Sequence, residues 1–281
     1  MLTRRSGYLA IAEGTSSAAT AQLQEQGWAL LEQVFTDDEV RALGAEISQV
    51  FETLDADVRS TRRDHSHYEP FRYEMLNHSA LAQEAIGHPV ILATIEPLLG
   101  EDCHVIANTA WRQAPEESRH GGRFWHIDAG PHVPRPAGVD WDDRIPYPVF
   151  AIGAHIFLMD CPLECGPTGV IPGSHKSGQA PPKDRLADES LTWNGIGMLP
   201  LTARAGDVAL FVSDVWHRRL PSSEGDPGRF FLQCHYGRRD LAQRLRTPDR
   251  VNHLSLEAIE RASTLRARTL IGLHEPGFYD A

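Results

Sequence analysis

No stretch of the 281-residue chain stays apolar over a membrane-spanning length, so no transmembrane helix is expected. Basic residues are outnumbered: 27 Lys and Arg against 38 Asp and Glu leave a net charge of −11. No Lys/Arg block rises above that background, which argues against a nucleic-acid partner. Cysteine is sparse. Of Cys103, Cys161, Cys165 and Cys234, the second and third have a spacing used in zinc sites, but no second close Cys or His pair completes one. Buried or loop thiols in a reducing cytoplasm are the better reading. The first thirteen residues hold too short an apolar stretch for a secretion signal, so a cytoplasmic protein is expected. No repeat or low-complexity tract is visible.

Hydrophobic residues at 41% and charged residues at 23% are ordinary for a globular domain with a real core. The length suits one large all-β unit, so 1–281 is read as a single domain. Residues 1–19, rich in Ser, Thr and Ala, are expected to be loosely ordered, and 20–103 to form a helical N-terminal support. Thr36-Asp-Asp-Glu39 is a capping box, followed by Val40, Leu43, Ile47, Val50 and Leu54 at helical spacing. A second helix is expected within 80–99, interrupted near Gly87-His-Pro89. From His104 the pattern changes to strands separated by Gly/Pro turns: about 104–112, 123–128, 149–160, 168–172, 197–204, 207–217 and 229–237. That spacing predicts a mostly β protein with flanking helices, its core at 104–237 a double-stranded β-helix, or jelly roll. The loop 129–148 carries five prolines and three aspartates, a size typical of lids or binding walls. In the final segment, 238–281, residues 254–271 read as one charged helix.

The residues with the most chemistry are His126 and Asp128 in Trp125-His-Ile-Asp128, and His217 in Val215-Trp-His217. Two imidazoles and one carboxylate hold non-haem Fe(II) on one face and leave the remaining positions open. On an extended strand His126 and Asp128 project to the same side while Ile127 points away. His217 lies 91 residues further on, at the end of another strand-like run, and a jelly roll can bring the two strand ends together. The spacing alone is not decisive, because among 14 histidines the same His-x-carboxylate pattern recurs at His67/Glu69. That second pair sits in a polar loop ended by Pro70, with no strand to aim it, and is read as solvated surface.

Three further stretches carry a resemblance. They are Glu164-Cys-Gly-Pro-Thr-Gly-Val-Ile-Pro-Gly-Ser-His-Lys176, Ala205-Gly-Asp-Val-Ala-Leu-Phe211 leading to His217, and Arg229-Phe-Phe-Leu-Gln-Cys-His-Tyr236. With Trp125–Asp128 in front, their order and approximate distances from about 104 to 237 resemble the phytanoyl-CoA hydroxylase-like family of Fe(II)/2-oxoglutarate dioxygenases. Gln24 to Phe35, followed by a helix, is similar to that family's opening. Each motif alone is weak, and the order of four makes chance a poor explanation.

The resemblance implies His126, Asp128 and His217 as iron ligands, with 2-oxoglutarate and O2 as cosubstrates. Arg229 takes the place of the arginine that grips the distal carboxylate, twelve residues after His217 and so one further than the family spacing. Where the family often has a serine two residues after the distal histidine, this chain has Arg219, either a second cation or a sign that Thr168 supplies the hydroxyl. Arg112 has three open readings: cosubstrate contact, acidic-substrate contact or surface charge. Asn108 shares its strand face and is a weaker cosubstrate candidate. Trp111, Trp125 and Trp216 are read as core, His155 as a hydrogen-bonded core histidine rather than a fourth ligand, with reach to substrate from the inner face as its alternative, His175 as a turn stabiliser and Cys234-His235 as structural. The implied activity is hydroxylation of an unactivated C–H bond of a small organic molecule, with release of succinate and CO2, in specialised metabolism. The net negative charge and the departures from the family pattern point away from a CoA thioester. Cyclisation, epimerisation, desaturation and endoperoxide formation share the same opening chemistry. Halogenation is disfavoured, because Asp128 stands where the halogenases have glycine or alanine. A non-catalytic jelly-roll binding protein and a zinc hydrolase are the alternatives. No oligomeric state is specified.

Overall fold

The computed structural model describes residues 17–54, 70–115, 122–128, 130–241 and 254–274, and ahead of them the backbone of an antiparallel strand pair, β1 (Leu2–Arg5) with β2 (Tyr8–Ile11). The rest of the segment before Ser17 and the His67/Glu69 pair lie outside the described residues.

Ser17 caps α1 (Ala18–Gln26) by accepting from the Thr20 amide at 3.0 Å, and Gly27 closes it with a left-handed φ of 78°. After β3 (Trp28–Leu31), the Thr36/Glu39 box is formed reciprocally at the start of α2 (Asp37–Thr53): the Thr36 hydroxyl accepts from the Glu39 amide at 3.3 Å, and Glu39 accepts from the Thr36 amide at 2.8 Å. Val40, Leu43, Ile47 and Val50 are buried as their spacing requires, and Leu54, the C-cap, is partly buried. β4 (Phe71–Tyr73) and the short α3 (Met75–His78) follow. The expected second helix is two, α4 (Ala80–Ala85) and α5 (Pro89–Leu99); Pro89 occupies the first turn of α5, where its missing N–H costs nothing.

The core comprises β5 (His104–Gln113), β6 (Ala151–Phe157), β7 (Thr168–Val170), β8 (Leu199–Pro200), β9 (Val208–Val212), β10 (His217–Arg219) and β11 (Arg229–Gly237). They form two antiparallel sheets, a large one in the order β3-β9-β6-β11-β5-β4 and a small one in the order β10-β7-β8. This is the jelly roll expected from the strand spacing. The 20–103 segment supplies β3 and β4 to the large sheet besides its helices.

Strand alternation divides the large sheet into two faces. Ile152, Ala154 and Ile156 of β6, with Leu232, Cys234 and Tyr236 of β11, pack against Leu43 and Ile47 of α2 and Ile91 and Ile95 of α5. Phe157, Phe211 and Phe231 point the other way, into the roll, where they join Val170 of the small sheet. Arg229, Gln233 and His235 share this inward face with Phe231.

Several boundaries differ from expectation. The 207–217 run breaks after Val212: residues 213–216 cross between the sheets, and β10 belongs to the small one. The 123–128 segment is extended but forms a single bridge, His126 with His217, rather than a strand. The expected C-terminal helix is two short ones, α6 (Leu256–Arg261) and α7 (Leu265–Leu270), because Ser255 and Thr264 each cap a separate start.

Candidate active site

Extended backbone from Arg123 to Asp128 runs along β10 and the crossing that precedes it. The His126 amide donates to the His217 carbonyl at 2.9 Å, the His217 amide returns the bond at 3.0 Å, and the Asp128 amide donates to the Ser213 carbonyl at 3.2 Å. This register places the two imidazoles side by side, ring centroids 4.3 Å apart. Each Nδ1 is tied to the carbonyl two residues back, His126 to Phe124 at 2.8 Å and His217 to Val215 at 2.9 Å, so each Nε2 is left facing Asp128. Asp128 Oδ1 lies 3.4 Å from Nε2 of His217 and 3.9 Å from Nε2 of His126. All three ligand atoms fall within 4.8 Å of one another. The His126 side chain is 47% exposed and that of His217 only 6%, so the cluster opens on the His126 side.

The charges follow from this geometry. Burial pushes the Asp128 carboxyl upward, but His217 and His235 overcome it and hold the group well below the usual carboxylate range. Burial likewise opposes protonation of His217, and Asp128 outweighs it, leaving its pKa raised. His126 is lowered, first by burial and then by the positive charge of His217.

Beside the cluster lies a cavity of about 130 Å³, also lined by Thr168, Arg219 and Arg229. Arg229 opens β11 on its inward face and is 4% exposed; its guanidinium stands 5.0 Å from the Phe231 ring centroid, and its charge lowers the pKa of the Cys161 thiol. Its Nε has no hydrogen-bond partner among the described residues. Burial lowers its pKa. Thr168 on β7 and Arg219 on β10 are register partners, and Arg219 Nη2 lies 4.0 Å from Asp226 Oδ2.

Arg112 and Asn108 are not brought to the cavity. In the β5/β11 register, Thr109 and Trp111 oppose Gln233 and Phe231 on the inward face, so Asn108 and Arg112 face the helices. The Arg112 guanidinium sits 4.7 Å over the Phe51 ring of α2. The long loop is also placed differently from a wall: none of its described residues lines the cavity, and it is tied to Asp214 by His132 Nδ1 at 2.6 Å and by the Tyr147 hydroxyl at 3.2 Å.

His155 takes the second of its two expected places, and His235 one that the sequence did not suggest. His155 is not a hydrogen-bonded core residue: it lines the cavity, its Nδ1 has no partner among the described residues, and burial holds its pKa well below the ordinary value. Its ring packs against Phe231 and Phe211, at 4.4 and 5.1 Å between centroids. His235 donates from Nε2 to Asp128 Oδ2 at 2.7 Å. The only trace of this in the sequence is parity, since His235 and Arg229 are six residues apart on one strand and share a face. Trp125 and Trp216 are core residues, their indoles donating to the carbonyls of Asp188 and Gln179. His175 holds a neighbouring element more than its own turn, with Nε2 3.2 Å from the Gln24 carbonyl of α1.

Residues 23–224, most of the chain and all three clustered side chains, match the family model described as phytanoyl-CoA dioxygenase (PhyH). The chain belongs to the PhyH family. Solved structures with the same fold include the non-heme alpha ketoglutarate dependent epimerase SnoN from nogalamycin biosynthesis, 19% identical over 83% of this PhyH-family chain and 88% of that one, with a TM-score of 0.59. EctD from S. alaskensis, solved with 2-oxoglutarate and 5-hydroxyectoine, is 22% identical over 83% and 78%, with a TM-score of 0.62. The carbocyclase SnoK from nogalamycin biosynthesis is 19% identical over 82% and 87%, with a TM-score of 0.55. No curated protein sequence matches this PhyH-family member.

Proposed function

We propose that this protein is an Fe(II)/2-oxoglutarate-dependent oxygenase that hydroxylates an unactivated C–H bond of a small organic molecule. One observation carries the reading: two Nε2 atoms and one carboxylate oxygen within 4.8 Å of one another, beside a cavity also lined by buried Arg229, whose Nε has no partner among the described residues. The donor set is that of a facial iron site with open positions. The orphaned Arg229 Nε fits an anionic cosubstrate, because a buried guanidinium is costly until its donors are met.

His126, Asp128 and His217 would hold the metal. Arg229 would grip the distal carboxylate of 2-oxoglutarate, with Thr168 and Arg219 on the facing strands as further donors. When bound, iron with 2-oxoglutarate and O2 supplies the oxidising power for C–H cleavage, with release of succinate and CO2. The protein contributes placement and dryness, and Phe211 and Phe231 line the cavity against water. At about 130 Å³ the cavity is below the roughly 300–1,000 Å³ of drug-sized pockets, the right scale for the cosubstrate alone. The substrate then sits toward the exposed side, near His126 and the 66%-exposed Phe124. Epimerisation and ring closure, the activities named for SnoN and SnoK, would use the same residues with a differently held substrate.

A zinc hydrolase would leave buried Arg229, beside the cluster and with an unpartnered Nε among the described residues, without a role. A non-catalytic binding protein would not need the ligand set and Arg229 together. Four free cysteines, and no helix among the described residues long and apolar enough to cross a membrane, fit the cytoplasmic setting proposed.

The test is an anaerobic titration of metal-free protein with Fe(II) and then 2-oxoglutarate, following the visible charge-transfer band of the chelate. A saturable band in the wild type that is absent in Asp128→Ala is the expected result. Metal binding without a band would sink the cosubstrate assignment, and a folded protein that binds no metal would sink the oxygenase reading.

A further inference from the structure

The Cys234-His235-Tyr236 stretch helps to identify the family, but the proposed function leaves it without a role. Tyr236 and Cys234 face the helices, and the Tyr236 hydroxyl donates to the Ile86 carbonyl at 2.8 Å, a packing role. His235 is different. It is 6% exposed on the inward face of β11 and is bonded to Asp128, on a segment that pairs with the small sheet. The bond spans the roll from the large sheet to the ligand-bearing backbone.

The two oxygens of Asp128 have separate surroundings. Oδ1 faces the Nε2 atoms of His217 and His126 at 3.4 and 3.9 Å, while Oδ2 accepts from His235 at 2.7 Å. The His235 bond thereby holds one oxygen away from the ligand cluster while the other faces it. A second, independent feature makes room for this imidazole. Gly153 of β6 is the register partner of His235, and a Cβ there would lie 3.1 Å from His235 Nε2 and 2.7 Å from the Phe211 ring. Gly153 has no positive φ, so its backbone does not require glycine, but the space does.

We propose that His235 is a positioning residue for the metal site: its Nε2–H fixes Asp128 as a one-oxygen ligand and so keeps the positions opposite the triad open for the cosubstrate. This rests on the Fe(II)/2-oxoglutarate reading above and adds to it the group that sets the carboxylate's orientation. Partners of this kind to a metal ligand tune affinity as well as orientation.

The experiment is a titration of metal-free protein with Co(II), followed by its visible absorption, alongside thermal melts without metal. His235→Leu removes the donor and is expected to weaken Co(II) binding about 10–100-fold and to change the absorption spectrum, in a protein that still melts cooperatively without metal, at a lower temperature because Asp128 loses a buried partner. His235→Gln, which keeps an N–H donor, is expected to recover most of the affinity and the wild-type spectrum. Wild-type affinity and spectrum in His235→Leu would overturn the proposal, as would equal damage in His235→Gln, which would mark a packing role. If His235→Leu does not fold, His235→Gln against the shorter His235→Asn decides: weaker binding by Asn supports the proposal and equal binding overturns it. A wild-type protein that binds no Co(II) overturns the metal site itself, whereas tight wild-type binding indifferent to residue 235 overturns only the role given to His235.

Discussion

Replacing Arg229 by glutamine has opposite consequences for binding and for stability. The guanidinium is 4% exposed, stands 5.0 Å from the Phe231 ring centroid, feels the Cys161 and Cys165 sulfurs and the buried Asp226 carboxylate, and has an Nε without a partner among the described residues. In the ligand-free protein burial outweighs these partners and lowers the guanidinium's pKa, so its removal should leave the melting temperature unchanged or raised. With 2-oxoglutarate present the same group would form charge-assisted bonds to a carboxylate. Truncating one partner of such a desolvated pair costs about 2–5 kcal/mol. At roughly 1.4 kcal/mol per tenfold, the cosubstrate Kd should rise on the order of 30- to several-thousand-fold. Metal affinity should not move, because Arg229 touches none of the three clustered ligands. Arg229→Lys keeps the charge but loses the fork, and should fall between the two. The assay is the anaerobic 2-oxoglutarate titration of the Fe(II) protein, with a metal-free melt as control. An Arg229→Gln protein that titrates like the wild type, or that loses metal and cosubstrate affinity in equal measure, would refute the reasoning.

Three further outcomes are expected. His175 is buried and burial holds its pKa down to about 4, below the unfolded value of about 6.5, so the unfolded state takes up the proton first as pH falls. Its contribution is therefore full above about pH 6.5 and is lost towards pH 4, about 2 kcal/mol between about pH 7.5 and 5; urea midpoints across that range should fall less steeply in His175→Asn. Gly206→Ala should destabilise by about 2 kcal/mol or more in thermal melts, because φ is +91° and the new Cβ would lie 2.4 Å from the Phe35 carbonyl oxygen; a variant melting like the wild type would contradict that close approach. Thr36→Ala breaks the capping box of α2 and should cost about 1 kcal/mol in urea unfolding, with Co(II) affinity unchanged.

Much of the site was legible because its signals are local. The two-residue period puts His126 and Asp128 on one side of any extended backbone, and the capping box starts α2 whatever packs on it. Motif order then located His217 and Arg229. Arg112 and Asn108 went astray for a definite reason. Alternation groups 108, 110 and 112 on one face of β5 and 109, 111 and 113 on the other. Helices cover one face of that sheet and the roll closes over the other, so both are buried and hydrophobicity does not mark which one meets the cavity. The C-terminal helix was misjudged because its apolar pattern continues across Ala262–Thr264 while the caps at Ser255 and Thr264 restart it.

His155 and His235 mark the further limit. By sequence each is a histidine in an apolar run, and nothing local separates a satisfied core imidazole from one facing a cavity or a carboxylate. That distinction depends on a partner 107 residues away for His235, and for His155 on an Nδ1 that has none among the described residues. The sequence by itself determined the residue types, their parity along each strand and the order of the motifs, all set by covalent geometry and short-range propensity. Only the tertiary structure decided which parity faces the cavity, which oxygen of Asp128 turns to the His217 and His126 rings and which arginines line the cavity. Those are settled by long-range strand register, and register is a property of the closed roll rather than of any segment in it.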